Sequence, residues 1–249
     1  MSSGESEKVQ QESLNNVQSI TILGSGPNAL IGSGDWLYVA NRSFRYYPNA
    51  LSSHREAVFV TQSLDALEVV EFVKTLGDAS VRPVHVWEPV VETERFRLLG
   101  IDGPHSLTFW SQNQLNDALN AVSGLRSPLP IYCHAVARPA QKLVARIQKF
   151  RRPNSAIFRP STGMLALVFA IAAHGPNAIY RLSGIGFSNR TQHADGSSRP
   201  AARGVKRFVP PHAIADMIVL ESLATKHEIW SDSREIVELV DNVLPISTT

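Results

Sequence analysis

The chain has 249 residues and only one cysteine, Cys133. A single thiol closes no intrachain disulfide and builds no cysteine-based metal site. Long apolar runs are also missing. The longest, MLALVFAIAA at 164–173, falls far short of what a membrane-spanning helix needs. The first sixteen residues, MSSGESEKVQQESLNN, are polar and have no apolar core, so they do not read as a secretory signal. We expect a disordered tail over 1–16 and a single domain over 17–249. No Asp-x-Asp pair is present to hold a metal on a diphosphate donor, and no Gly-Lys-Ser/Thr tripeptide marks a phosphate loop. The basic residues are not interleaved with a row of stacking aromatics, so nucleic acid is not an expected partner. These absences leave an ordinary globular composition, 43% hydrophobic and 18% charged, and a cytoplasmic location as the expectation.

The periodicity that is present alternates between two types. Strand-like runs occur at 19–23 (SITIL), 36–40 (WLYVA), 57–61 (AVFVT), 84–87 (VHVW), 106–110 (SLTFW), 129–133 (LPIYC), 178–184 (AIYRLSG) and 228–230 (EIW). Helical patterns occupy 63–76, 111–124, 139–150, 162–174, 213–226 and 234–243. This alternation predicts an α/β protein: a mostly parallel, Rossmann-like sheet with helices on both faces. The last helix is amphipathic but acidic, which does not favour an anionic membrane surface.

Three stretches carry chemistry. The first is ITILGSGPNAL at 20–30, an apolar strand ending in Gly24, Ser25, Gly26, Pro27 and Asn28. A dinucleotide fingerprint requires a third glycine and an acidic residue after the second strand, and here Ala29 and Asn41 stand at those places. The readings that remain are a tight strand-to-helix turn with no ligand, or a loop that meets a phosphate or sugar through its N–H groups, with Ser25 and Asn28 adding side-chain hydrogen bonds. The second stretch is RPSTGMLALVFAIAAHG at 159–175. Ser161 and Thr162 can cap the helix beginning near Gly163, and Arg159 stands just in front of its positive end. The following strand ends in Ser183, Gly184, Ile185 and Gly186, a second close-backbone turn. The third stretch is VPPHAIADMIVL at 209–220. It places His212 after a double proline at a helix start, where it is a candidate general base. His193, in TQHADG, is the alternative base, in a loop expected to close over a ligand as a lid. Cations are dense between residues 181 and 212, with Arg181, Arg190, Arg199, Arg203, Lys206 and Arg207 against the lone Asp195. Such a cluster favours an anionic ligand.

In this order, the three stretches resemble the bacterial sialyltransferases that act on lipooligosaccharides with CMP-sialic acid as donor. The resemblance covers roughly residues 19–230. Gly24-Ser25-Gly26-Pro27-Asn28 matches the opening Gly-Asn-Gly-Pro-Ser, and Asn41 matches an Asn that touches the donor. Arg159-Pro160-Ser161-Thr162-Gly163 matches Arg-x-Thr-Ser-Gly, and Leu182-Ser183-Gly184-Ile185-Gly186-Phe187-Ser188 matches Leu-Ser-Gly-Ile-Asp-Phe-Tyr. His212 and Asp216 match the catalytic His and an early Asp of the following helix.

The resemblance implies an inverting, metal-independent transfer of an acidic keto-sugar from CMP to a glycan or glycolipid hydroxyl. It calls for no cofactor. His212 would act as base and Asp216 would orient or tune it. Gly24, Ser25, Gly26, Asn28, Asn41, Arg159, Ser161, Thr162, Gly163, Gly184 and Gly186 would line the donor site. It also implies a homo-oligomer loosely associated with the inner face of a membrane. Ser25, Ser188 and Val209 depart from the pattern. The latter two replace phenols associated with the leaving phosphate, which shifts that task to Arg190, Arg203, Lys206 or Arg207 and leaves Kdo beside sialic acid as the donor sugar. The rival classes are a pterin pyrophosphokinase-like or flagellin-glycosylation-type enzyme, and a non-catalytic nucleotide-binding domain.

Overall fold

The computed structural model describes residues 17–41, 43–61, 84–86, 107–109, 112–124, 160–187 and 211–247. Among the described residues, eight strands form one sheet: β1 Ser19–Leu23, β2 Gly34–Ala40, β3 His54–Thr61, β4 Val84–Val86, β5 Leu107–Phe109, β6 Ile179–Ser183, β7 Glu228–Ser231 and β8 Val243–Pro245. Their spatial order is β5-β4-β3-β2-β1-β6-β7-β8, and every neighbouring pair is parallel. The described helices are α1 Ser43–Tyr46, α2 Pro48–Ser52, α3 Gln112–Ser123, α4 Thr162–His174, α5 Pro211–Ala224 and α6 Arg234–Leu239. The protein is therefore of the α/β class, and the parallel sheet expected from the alternation is observed.

Side-chain alternation assigns the two faces. Ile20, Ile22, Tyr38, Val58, Val60, Tyr180, Leu182 and Ile229 join one core cluster with the buried residues of α4 and α5. α4 is apolar on all sides, with every residue from Met164 to Ile171 buried, as a helix wedged between a sheet and other helices must be. On the opposite face, Phe44 of α1 meets Phe59 of β3 edge to face, with ring centroids 5.8 Å apart. Among the described residues no helix is long and apolar enough to cross a membrane.

Several boundaries differ from expectation. β2 begins at Gly34 and β3 at His54, because backbone pairing of Gly34 with His54 and of Trp36 with Glu56 continues beyond the apolar runs. The expected helix over 234–243 stops at Leu239; residues 240–242 turn, and Val243 opens the edge strand β8, paired with Ile229 of β7. α1 and α2 fall where no element was expected. The expected tail over 1–16, the strand at 129–133 and the helices at 63–76 and 139–150 lie outside the described residues.

The chain runs outward from β1 to β5, returns to β6 beside β1, and continues outward to β8 on the other side. The strand order reverses between β1 and β6. In open parallel sheets this is where the loops diverge and a ligand crevice opens at the carboxyl edge.

Candidate functional site at the switch point

Both glycine-rich stretches emerge at this reversal, Gly24–Gly26 from β1 and Gly184–Gly186 from β6. Rather than diverging, they pack against each other backbone to backbone. The Gly24 amide donates to the Ser183 carbonyl and the Gly26 amide to the Gly184 carbonyl, each at 2.8 Å. A Cβ on Gly24 would lie 2.3 Å from the Gly184 carbonyl oxygen, and one on Gly26 would lie 2.7 Å from it. Gly184 itself has a φ of 65°, in the left-handed region. These glycines are thus required by the mutual approach of two loops. The amides of Gly24 and Gly26 point into that contact, so the expectation that the loop presents them to a phosphate does not hold for these two groups.

The rest of the first loop is tied down by side chains from distant elements. The Tyr47 hydroxyl donates to the Gly26 carbonyl and accepts from the Ala29 amide at 3.1 Å. The Leu30 amide donates to Asp232 at 2.9 Å, and the Ser183 hydroxyl donates to the Leu30 carbonyl at 2.8 Å. The Gly184 amide also donates to the Asp232 carboxylate, at 3.0 and 3.2 Å to its two oxygens. Pro27 and Asn28, at the tip, are exposed, and Asn28 takes a φ of 59°. Asn accepts this conformation more readily than most residues.

α4 begins at the same edge. Ser161 is its N-cap, extended at φ −65° and ψ 164°, and its hydroxyl accepts from the Met164 amide at 3.3 Å. Asn41, at the end of β2 with a φ of 50°, donates through Nδ2 to the Thr162 hydroxyl at 3.0 Å. Gly163 packs on Ile185, whose side chain a Cβ would approach to 3.1 Å. The amides of Thr162 and Gly163 have no acceptor among the described residues, as expected for the first turn of a helix.

α5 begins at this edge as well. His212 is its second residue, one turn before Asp216, and helical spacing puts the two on one face. Asp216 is 4% exposed and accepts the Ser161 amide at 2.6 Å. Burial pushes its pKa up to about 7, against the opposing pull of the Ser161 hydrogen bonds. The orienting carboxylate expected to serve His212 is therefore bonded to the N-cap of α4.

The structure thus brings together Gly24, Ser25, Gly26, Asn28, Asn41, Ser161, Thr162, Gly163, Gly184, Gly186 and Asp216 at one edge, with the backbone of His212 beside them. Arg159, Ser188, Arg190, His193, Arg203, Lys206, Arg207 and Val209 lie outside the described residues. Two residues that organise the edge were missed from the sequence. Asp232 is the first residue after β7, so reading every strand's carboxyl end for polar groups would have found it. Tyr47 gave no signal, because it lies between two short helices that the pattern does not mark.

Fold and edge define an all-parallel α/β protein whose polar groups gather at the topological switch. No family model matches the chain, and neither a curated protein nor a solved structure matches it.

Proposed function

We propose that the chain is a Rossmann-like, CMP-sugar-dependent glycosyltransferase that moves an acidic keto-sugar, sialic acid or Kdo, to a glycan hydroxyl with inversion. The observation that carries this reading is the meeting of Asn41, the Ser161–Thr162 cap, Asp216 and both glycine loops at one switch-point edge. Residues 18 to 202 positions apart in sequence are bonded to one another there.

The chemistry follows from the leaving group. CMP departs carrying one phosphate, and its developing charge is met by the positive end of α4, through the amides of Thr162 and Gly163. Arg159, Arg190, Arg203, Lys206 and Arg207 are the chain's candidates for supplying further charge. With that much positive potential from protein groups, the transfer does not require a chelated metal. His212 takes the proton from the acceptor hydroxyl as that oxygen attacks the anomeric carbon, the bond to the phosphate oxygen breaks, and CMP leaves from the opposite side.

The reading is tested by thermal stability with CMP, CDP, ATP and NAD, each with and without EDTA. A ligand that binds only the native state stabilises it by roughly RT ln(1 + [L]/Kd). CMP should raise the melting temperature with no effect of EDTA, and a folded His212→Ala protein should keep that shift while turnover of CMP-sialic acid or CMP-Kdo falls about 100- to 10,000-fold. A shift only with ATP and metal, or only with NAD, overturns the reading. CMP binding with no turnover by the wild type reduces it to a nucleotide-binding domain.

A further inference from the structure

Asp232 has no part in the chemistry described above, yet its carboxylate is bonded to both glycine loops of the edge. It follows β7, one strand beyond the switch, and its carboxylate accepts the Leu30 amide from the β1 loop and the Gly184 amide from the β6 loop. Gly184 is the residue on which Gly24 and Gly26 pack, and its carbonyl takes the Gly26 amide. Displacing Gly184 therefore displaces the whole first loop. On the far side, Tyr47 bonds Gly26 and Ala29. The segment from Gly26 to Leu30 is thus fixed between a carboxylate at one end and a phenol at the other.

We infer that Asp232 is a positioning residue of the nucleotide site, its carboxylate fixing the spacing of the two glycine loops by accepting one amide from each. The inference rests on the CMP-site reading and adds to it the group that sets the site's shape. Burial pushes the Asp232 carboxyl above its ordinary range, and the amides of Leu30 and Gly184 oppose that push. The charge and the loop geometry therefore support each other. A carboxylate serves both amides, because each of its oxygens only accepts. Oδ2 accepts both amides, at 2.9 and 3.0 Å, while Oδ1 adds a contact with the Gly184 amide at 3.2 Å; a carboxamide in its place carries no charge and turns its N–H2 group toward the Gly184 N–H at the Oδ1 position.

The test is CMP affinity, measured by calorimetry well below the melting temperature, for the wild type, Asp232→Asn, Tyr47→Phe and the double variant. Melting temperature without ligand is measured in parallel. Asp232→Asn should weaken CMP binding about tenfold, the size expected for losing one charge-assisted hydrogen bond that positions a site. The double variant should lose less than the product of the two single losses, because both side chains hold the same segment. A carboxylate that merely stabilises the fold would lower the melting temperature and leave the affinity of the folded protein unchanged. That outcome overturns the inference, as do independent, multiplying losses. If the wild type fails to bind CMP, the transferase reading falls and the positioning role with it; if the wild type binds and Asp232→Asn binds equally well, only the positioning role falls.

Discussion

Asp216 shows how a single residue carries two consequences. Its carboxyl is buried, and its pKa is pushed to about 7. In the unfolded chain it titrates in the ordinary carboxylate range, near 4. Between these two values the native state holds a proton that the unfolded state has released, so stability falls as pH rises through that window. Asn at this position keeps an acceptor for the Ser161 amide and never ionises. Asp216→Asn should therefore melt above the wild type at pH 8, with the gap closing as pH is lowered toward 4. Melting curves of both proteins across that range check it, and a gap of constant size would contradict the assignment. His54 works in the opposite direction. It is 6% exposed, bonded to Thr21 and to the Ala50 carbonyl, and burial lowers its pKa. Its contribution is lost as pH falls below the ordinary imidazole range, so only the difference between wild type and variant isolates Asp216. The Thr21–His54 pair has the geometry of a hydroxyl and its base, but Thr21 is 1% exposed, and we assign the pair to the core.

At the scale of the element, α4 joins fold and site. Its body is held by burial and its first turn by Ser161. The cap position is fixed twice, by its own hydroxyl on Met164 and by its amide on Asp216. Ser161→Ala removes what the hydroxyl contributes, its bond to Met164 and its hydrogen bond with Asp216, and keeps the bond from the amide to Asp216. It should cost about 1 kcal/mol, the usual loss for an N-cap, with the urea slope unchanged. A loss near zero in urea unfolding would mean that the Asp216 contact alone fixes the helix start.

The whole molecule depends on the seam between β1 and β6, where the sheet reverses direction. A methyl on Gly24 meets the backbone of Gly184, which cannot give way without separating the two strand ends. A methyl on Gly163 meets the flexible end of Ile185 instead. Gly24→Ala should therefore destabilise by about 3 kcal/mol, toward the upper range for overpacking, while Gly163→Ala should be nearly neutral. Chemical denaturation of the two variants gives the ranking, and equal effects would show that the loops can move apart.

The sequence by itself determined the elements that local physics specifies. β1 and α4 were legible from an apolar run bounded by glycine and from a Ser-Thr cap before an apolar helix. The parallel class follows from alternation, and Asn41, Ser161, Thr162 and Asp216 stand out in the sequence as polar groups at element ends. Tertiary structure alone decided what those residues touch. Asp216 bonds Ser161 across 55 positions, and Asp232 bonds Leu30 across 202. The glycines after β1 serve the loop after β6 rather than expose their own amides to a ligand. The last helix ended short and Val243 joined β8, where the edge of β7 offers it backbone partners. The reason is physical: strand and helix preferences are set by neighbours a few residues away, whereas hydrogen bonds between loops depend on which strand ends the topology makes adjacent.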